Sequence, residues 1–166
     1  SGGFGSFMWA SVYNRPLICT LSEPYYARTW WPCKDRNDDK ADSFNIAIEV
    51  DTSMWVGSNG TLDSTVANGA NTHTFYYNVD YPMVTYLFSL AVYPYTVWED
   101  EWVYNGGADT MPVVHAVYPE LLSYSQSQFS VTPQANFKCL NIFGAYPICD
   151  EKYGHALFGW GGAMEH

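Results

Sequence analysis

The chain has 166 residues, 48% of them hydrophobic and 18% aromatic, with 14 Tyr and 7 Trp; this excludes a disordered chain and suits one β-rich domain plus part of a second. Its formal net charge of −10 excludes nucleic acid and anionic membrane surfaces as partners, because both need a cationic footprint. Residues 1–40 are near balance, whereas residues 41–166 hold only Lys138 and Lys152 against a large excess of acids, a body that favours solubility or a cationic ligand such as a peptide amino terminus.

Residues 1–20 turn from Gly/Ser-rich to apolar (Phe7, Met8, Trp9, Val12, Tyr13, Leu17, Ile18) and predict one or two short strands joined by an Asn14-Arg15-Pro16 turn. From Thr20 to Asp35 two prolines preclude regular structure over most of the span, leaving a rigid aromatic loop that carries Glu23 and Arg28. Lys34 to Asp42 alternates in charge and reads as a solvated turn. Phe44 to Val50 alternates apolar and polar, the period of a half-buried strand. Met54-Trp55-Val56 leads into Asn59-Gly60, a tight-turn signal that predicts a hairpin. Thr72 to Val79 gives another strand. Met83 to Val97 reads as one long central strand buried on both faces, punctuated by Glu99-Asp100-Glu101.

Trp102-Val103-Tyr104 and Val113 to Tyr118, separated by Gly106-Gly107, complete a β-rich block that ends near Pro119. Beyond residue 120 the texture changes. Thr132 as cap, Pro133 at the first helical position, an apolar line of Phe137, Leu140 and Phe143, and Gly144 as terminator predict a helix. Tyr153 to Phe158 predicts a strand running into the terminal Gly159-Trp160-Gly161-Gly162-Ala163-Met164-Glu165-His166. Glycines there allow another backbone to approach closely, and one carboxylate can meet a cation, a peptide-docking arrangement; the alternative is a loose tail.

Much chemistry is missing. The histidines at 73, 115, 155 and 166 are far apart in sequence, and none belongs to H-E-x-x-H spacing; nucleophile elbows and phosphate loops are likewise absent. No catalytic residue and no metal ligand is assigned, and the chain alone is expected to be inactive. Cys19, Cys33, Cys139 and Cys149 lack C-x-x-C spacing and read mainly as small buried apolar residues, with one bridge left open. No run reaches the roughly 20 apolar residues of a membrane span, so no membrane insertion is expected. Ser1 is not Met and no signal pattern follows it, so both ends read as cut from something longer.

Three ordered stretches resemble the zinc aminopeptidases of the aminopeptidase N type, which include the leukotriene hydrolase branch. Thr20 through Asp35 is similar to the family's first-domain motif, with Trp30-Trp31-Pro32-Cys33-Lys34-Asp35 and Asp39-Lys40-Ala41-Asp42 most like bacterial members. Tyr81-Pro82-Met83-Val84-Thr85-Tyr86-Leu87 resembles a strand near the end of that domain. Glu151-Lys152-Tyr153-Gly154 followed by Gly162-Ala163-Met164-Glu165-His166 resembles the exopeptidase motif Gly-Ala-Met-Glu-Asn.

The resemblance implies a mainly β chain: a saddle-like β-sandwich over residues 1–120, then the truncated α+β start of a thermolysin-like catalytic domain over 121–166. It implies that zinc and its ligands belong to the full-length parent, downstream of His166, and that the missing part of the catalytic domain is a partner. It implies peptide substrates with a free amino terminus, bound through Glu23, Gly161, Gly162, Ala163, Met164 and Glu165. Glu23 and Glu165, from different domains, would converge on the α-ammonium, so that cleavage removes one residue, while the backbone of 161–163 would pair with substrate as an added strand.

His166 stands where the family usually has Asn, and Leu21 where many members have Gln; both bear on residue preference. Arg28 and Asp35 would brace the loop, and Tyr25, Tyr26, Trp30 and Trp31 read as core or domain-interface rings. An exported location, periplasmic or extracellular, is favoured over a cytoplasmic one; Asn59-Gly60-Thr61 would be a glycosylation sequon only in an exported eukaryotic protein. The rival readings are a free-standing aromatic-rich β-module that binds protein or glycan, and a truncated inactive homologue.

Overall fold

The computed structural model describes residues 6–34, 36–144 and 146–166, and of Phe137 the backbone only. The expected Arg28–Asp35 brace and the side chain of Phe137 lie outside the described residues. The fold is mainly β, as expected, and the chain forms two compact units: Ser1–Pro94 with Phe158–His166, and Tyr95–Leu157. These units divide the chain at places other than residue 120, and the first is discontinuous in sequence.

In the first unit, β1 (Phe7–Val12) and β2 (Arg15–Thr20) form a hairpin whose turn is Tyr13-Asn14, not Asn14-Arg15-Pro16. Both turn residues have positive φ, 48° and 58°, the geometry that matches the strands' twist, and Pro16 is already paired with Ser11. β3 (Lys40–Ala41) pairs with β8 (Met83–Val84). β4 (Phe44–Asp51) and β7 (Thr72–Val79) are the alternating strands expected, paired antiparallel from Phe44↔Val79 to Asp51↔Thr72. β6 (Thr61–Ala67) completes their sheet in the order β4-β7-β6, with a register irregularity between Leu62 and Ser64.

β5 (Trp55–Ser58) does not form a hairpin with β6. It pairs instead with β9 (Leu90–Tyr93) in a second sheet, ordered β1-β2-β9-β5. The Asn59-Gly60 turn therefore carries the chain from one sheet to the other. Ile46, Phe75, Tyr77 and Val79 of one sheet and Val56, Leu90 and Val92 of the other form a single buried cluster, so the two sheets pack as a sandwich. The Tyr77 hydroxyl donates to the Val56 carbonyl across it, and burial pushes the Tyr77 phenol well above its ordinary pKa.

The long strand expected over Met83–Val97 is broken. β8 ends at Val84, a 3-10 turn covers Thr85–Leu87, β9 follows, and Pro94 precedes β10. Apolar composition ran through the whole stretch, but side-chain hydrogen bonds take up its backbone at 85–89. The Cys19 thiol is buried in this unit and raised to about 11 by desolvation. All four cysteines are free, and Cys139 is exposed, so the buried-apolar reading holds for Cys19 and not for Cys139.

In the second unit, β10 (Thr96–Tyr104) and β11 (Asp109–Val117) form a hairpin through Gly106-Gly107. Glu99-Asp100-Glu101 lies inside β10 and does not punctuate it; residues 99 and 101 take the exposed positions of the alternation. Helix α1 (Leu122–Phe129), not anticipated from sequence, follows, and then α2 (Thr132–Phe143), ended by Gly144 as expected. Val131 is the N-cap, with Thr132 and Pro133 already in the first turn. β12 (Tyr153–Ala156) then adds to β11 in parallel, shorter than expected because the ladder stops before Phe158. Trp102, Met111 and Val113 form the buried cluster on which Leu140 and Tyr153 pack.

Candidate functional site

Glu23 sits in the turn after β2, half-buried, in a cis peptide bond with Pro24. The residues around it are fixed. Ser22 is buried, its carbonyl accepts from the Tyr26 N–H at 2.9 Å, and its hydroxyl accepts from the Trp30 indole at 2.8 Å. Leu21 is 2% exposed, its N–H donating to the Ser6 carbonyl at 3.0 Å, so its side chain belongs to the interior. Trp30 stacks on Phe88 at 5.1 Å and Trp31 meets Phe88 edge-on at 5.2 Å, both rings half-buried in an aromatic cluster. Tyr25 and Tyr26 are exposed, so these two are not core rings.

The loop 85–89 that carries Phe88 is held in three places. Asn59 donates through Nδ2 to the Leu87 carbonyl at 3.1 Å and accepts from the Ser89 N–H at 2.7 Å. The Thr85 hydroxyl donates to the Lys34 carbonyl at 2.8 Å. Both ends of the Asn59 amide are thereby used, and the sequon of the sequence is built into a turn. Replacing Asn59 with alanine is expected to lower stability by about 2–3 kcal/mol, since two hydrogen bonds go and a backbone donor and acceptor lose their partners; a shifted chemical-denaturation midpoint measures it.

The terminal strip reaches the same loop. Desolvation lowers the pKa of the His166 ring, opposed by the Leu87 backbone and the Glu165 carboxylate, which both favour its protonated form, and Gly159 lies against Val12 and Leu17. Gly161, Gly162, Ala163 and Glu165 are exposed and Met164 is half-buried. Gly162 lies flush with the Trp160 ring, where a Cβ would come within 3.0 Å, and Trp160 stacks on Phe158. Ser22, next to Glu23, is tied to Trp30, which stacks on Phe88, and His166, next to Glu165, has the Leu87 backbone in its surroundings. Among the described residues no hydrogen bond or ion pair joins the two carboxylates. A half-buried and an exposed carboxylate, Glu23 and Glu165, are each open to an organic cation from solvent.

A cluster that sequence reading missed lies in the second unit. His115 is fully buried, its Nδ1 is 3.1 Å from Nδ1 of His155, and its Nε2 is 3.2 Å from an Asp100 oxygen at an angle short of a hydrogen bond. Burial lowers the pKa of both histidines, opposed at His115 by Asp100 and reinforced at His155 by His115, which takes His155 to about 4. The hairpin register through Gly106-Gly107 places Trp98 opposite His115, which is readable from sequence; the parallel arrival of His155 is not. Among the described residues no group of three or more His, Cys, Asp or Glu is placed to hold a metal ion, and no helix is long and apolar enough to cross a membrane.

Residues 6–87 match the family described as Peptidase M1 N-terminal domain. Among solved structures, the chain is similar to an M1 zinc metallopeptidase from Deinococcus radiodurans, with 24% identity and a TM-score of 0.71 over 93% of this chain and 34% of that one. A mutant of that metallopeptidase bound to a Tyr-Ser-Ala substrate gives 23% and 0.70, over 89% of this chain and 33% of that one. Aminopeptidase A from Legionella pneumophila, in complex with aspartic acid, gives 18% and 0.76, over 92% of this chain and 17% of that one. No curated protein sequence matches the chain. At these identities the likeness is one of fold, and the chain spans about a third or less of these enzymes' lengths.

Proposed function

We propose, from the match of residues 6–87 to the Peptidase M1 N-terminal domain, that the chain is the amino-terminal part of a zinc-dependent aminopeptidase, a hydrolase that removes single residues from peptide amino termini. The observation that carries this reading is the match of residues 6–87 to that domain; the packing of Trp30, from the Glu23 loop, on Phe88 is consistent with it. In this reading the two carboxylates grip the substrate's α-ammonium with charge-assisted hydrogen bonds and set its distance from the scissile bond. Gly161, Gly162, Ala163 and Met164 offer backbone to the peptide as an extra strand.

No step is assigned to zinc in this chain; in this reading the metal is held by the rest of the parent polypeptide. The division into a saddle domain over 1–120 and a catalytic beginning over 121–166 is part of the same reading. So is the remainder of that catalytic domain as partner, which the apolar surface of α2 supports: Ile142 is 72% and Phe143 82% exposed. The 166 residues alone are then inactive.

The test is steady-state kinetics of the intact protein on aminoacyl and N-acetylated substrates. Glu23→Gln and Glu165→Gln are each expected to lower kcat/KM about 10–100-fold on substrates with a free amine, the loss of a charged hydrogen bond, mostly through KM. Unchanged kinetics in both variants, or hydrolysis by the 166-residue chain alone, would overturn the proposal.

A further inference from the structure

The second unit places three titratable side chains in a row, and their geometry has a consequence independent of peptide cleavage. His155 Nδ1 and His115 Nδ1 are 3.1 Å apart, so one must donate and the other accept. The Asp100 oxygen, 3.2 Å from His115 Nε2, favours a proton on that nitrogen. His115 Nδ1 is then the acceptor and His155 Nδ1–H the donor, an assignment made from the network.

The pair is walled by rings. Phe129 of α1 lies flat on His155 at 4.2 Å and on His115 at 5.3 Å, Trp98 of β10 stacks on His115 at 4.6 Å, and Tyr153 meets His155 edge-on at 5.2 Å. β12 is short, its ladder running only from Val113↔Tyr153 to Ala116↔Ala156, and His115 faces His155 in that register. The side-chain hydrogen bond therefore adds to a short backbone ladder in holding the strand.

We propose that Asp100, His115 and His155 form a proton-counting latch that holds β12 on β11, closed with a single proton between the two Nδ1 atoms and opened when both carry one. The step is a proton balance. A first added proton enters at His155 Nε2 while the proton between the rings passes from His155 Nδ1 to His115 Nδ1: His115, with N–H on both nitrogens, is the cation beside Asp100 and donates to His155 Nδ1. A second proton leaves two N–H groups facing each other at hydrogen-bond distance, two cations between aromatic walls, and the pair must separate.

The groups facing the pair are Asp100 from β10, which carries charge, Tyr153 from β12, and Trp98 and Phe129, which carry none. Among the described residues, Asp100 is the charge that raises His115, and His115 is the titrating group that lowers His155.

The experiment is nitrogen NMR of the 166-residue chain with labelled histidine, from pH 7.5 to pH 3.5, alongside hydrogen exchange of the Leu157 amide, which donates to the Ala116 carbonyl at 3.0 Å. Expected are opposite tautomers for His115 and His155 at neutral pH, titration in two separated steps, and a loss of Leu157 protection of about tenfold or more at the second step, relative to β1–β2 amides. Asp100→Asn is expected to move the first step to lower pH. The proposal is overturned if the two rings titrate independently at ordinary values, if Leu157 protection does not follow the second step, or if a folded D100N chain titrates as the unsubstituted one does. Should D100N not fold, the titration of the unsubstituted chain decides alone.

Discussion

Gly60→Ala is expected to destabilise the sandwich by about 4 kcal/mol or more, enough to unfold a domain of ordinary stability. Gly60 has φ of +74°, where an L side chain costs about 1–2 kcal/mol before any contact is counted. An added Cβ would then stand 2.1 Å from the Asn78 carbonyl oxygen and 2.6 Å from Val79 Cγ2. Neither neighbour can retreat, because Asn78 is paired with Asn45 on one side of β7 and with Thr61 on the other. Gly69→Ala is the control: φ is +84° there, but nothing lies within 4 Å of the added carbon. It should cost only the backbone term. Urea unfolding of both variants measures the difference, and a G60A chain within about 1 kcal/mol of G69A would show that β7 yields.

The second large effect is acid destabilisation of the Tyr95–Leu157 unit well above the range in which carboxylates titrate. An unfolded histidine binds its proton near 6.5, whereas His155 in the fold does so at about 4, and His115 is also lowered. The folded pKa is depressed, so between these values the unfolded state holds more protons. Stability then falls as pH falls through 6.5 toward 4, by about 3 kcal/mol from His155 at most, and flattens below. Denaturation midpoints at pH 7, 5.5 and 4 trace the loss. His155→Phe keeps an aromatic ring against Phe129 and removes the titration; it should flatten the curve between pH 6.5 and 5. An equal slope in that variant would assign the acid sensitivity elsewhere.

Local chemistry was legible where one strand decides its own face. The alternation in Phe44–Val50 and Thr72–Val79 produced β4 and β7, and Pro133 with Gly144 bracketed α2. Partner choice was not legible. Asn59-Gly60 signals a turn, but whether the next strand returns to the same sheet depends on Asn78 and on the loop that Asn59 holds, far along the chain. Met83–Val97 reads as one strand because composition records burial and not pairing; hydrogen bonds from Asn59 to the Leu87 carbonyl, from the Ser89 N–H to Asn59, and from Thr85 to the Lys34 carbonyl break it. Glu23 and Glu165 stood out through a resemblance of motifs, and no periodicity would have joined them. The His115–His155 contact spans forty positions and depends on a parallel strand arriving after two helices, one of which the sequence did not announce.

The first unit's discontinuity has a kinetic meaning. Its last segment, Phe158–His166, must find Ser1–Pro94 across all of Tyr95–Leu157, a loop whose closure costs on the order of 3–4 kcal/mol of chain entropy if that stretch is still unfolded. Within the inserted unit, however, the Tyr95 hydroxyl donates to the Leu157 carbonyl, and the Leu157 N–H joins β11. Once the insert has folded, its entry and exit are already clasped together, and the closing segment starts next to the chain it left. An insert that folds first therefore removes most of that closure cost before Phe158–His166 docks with Gly159 against Val12 and Leu17.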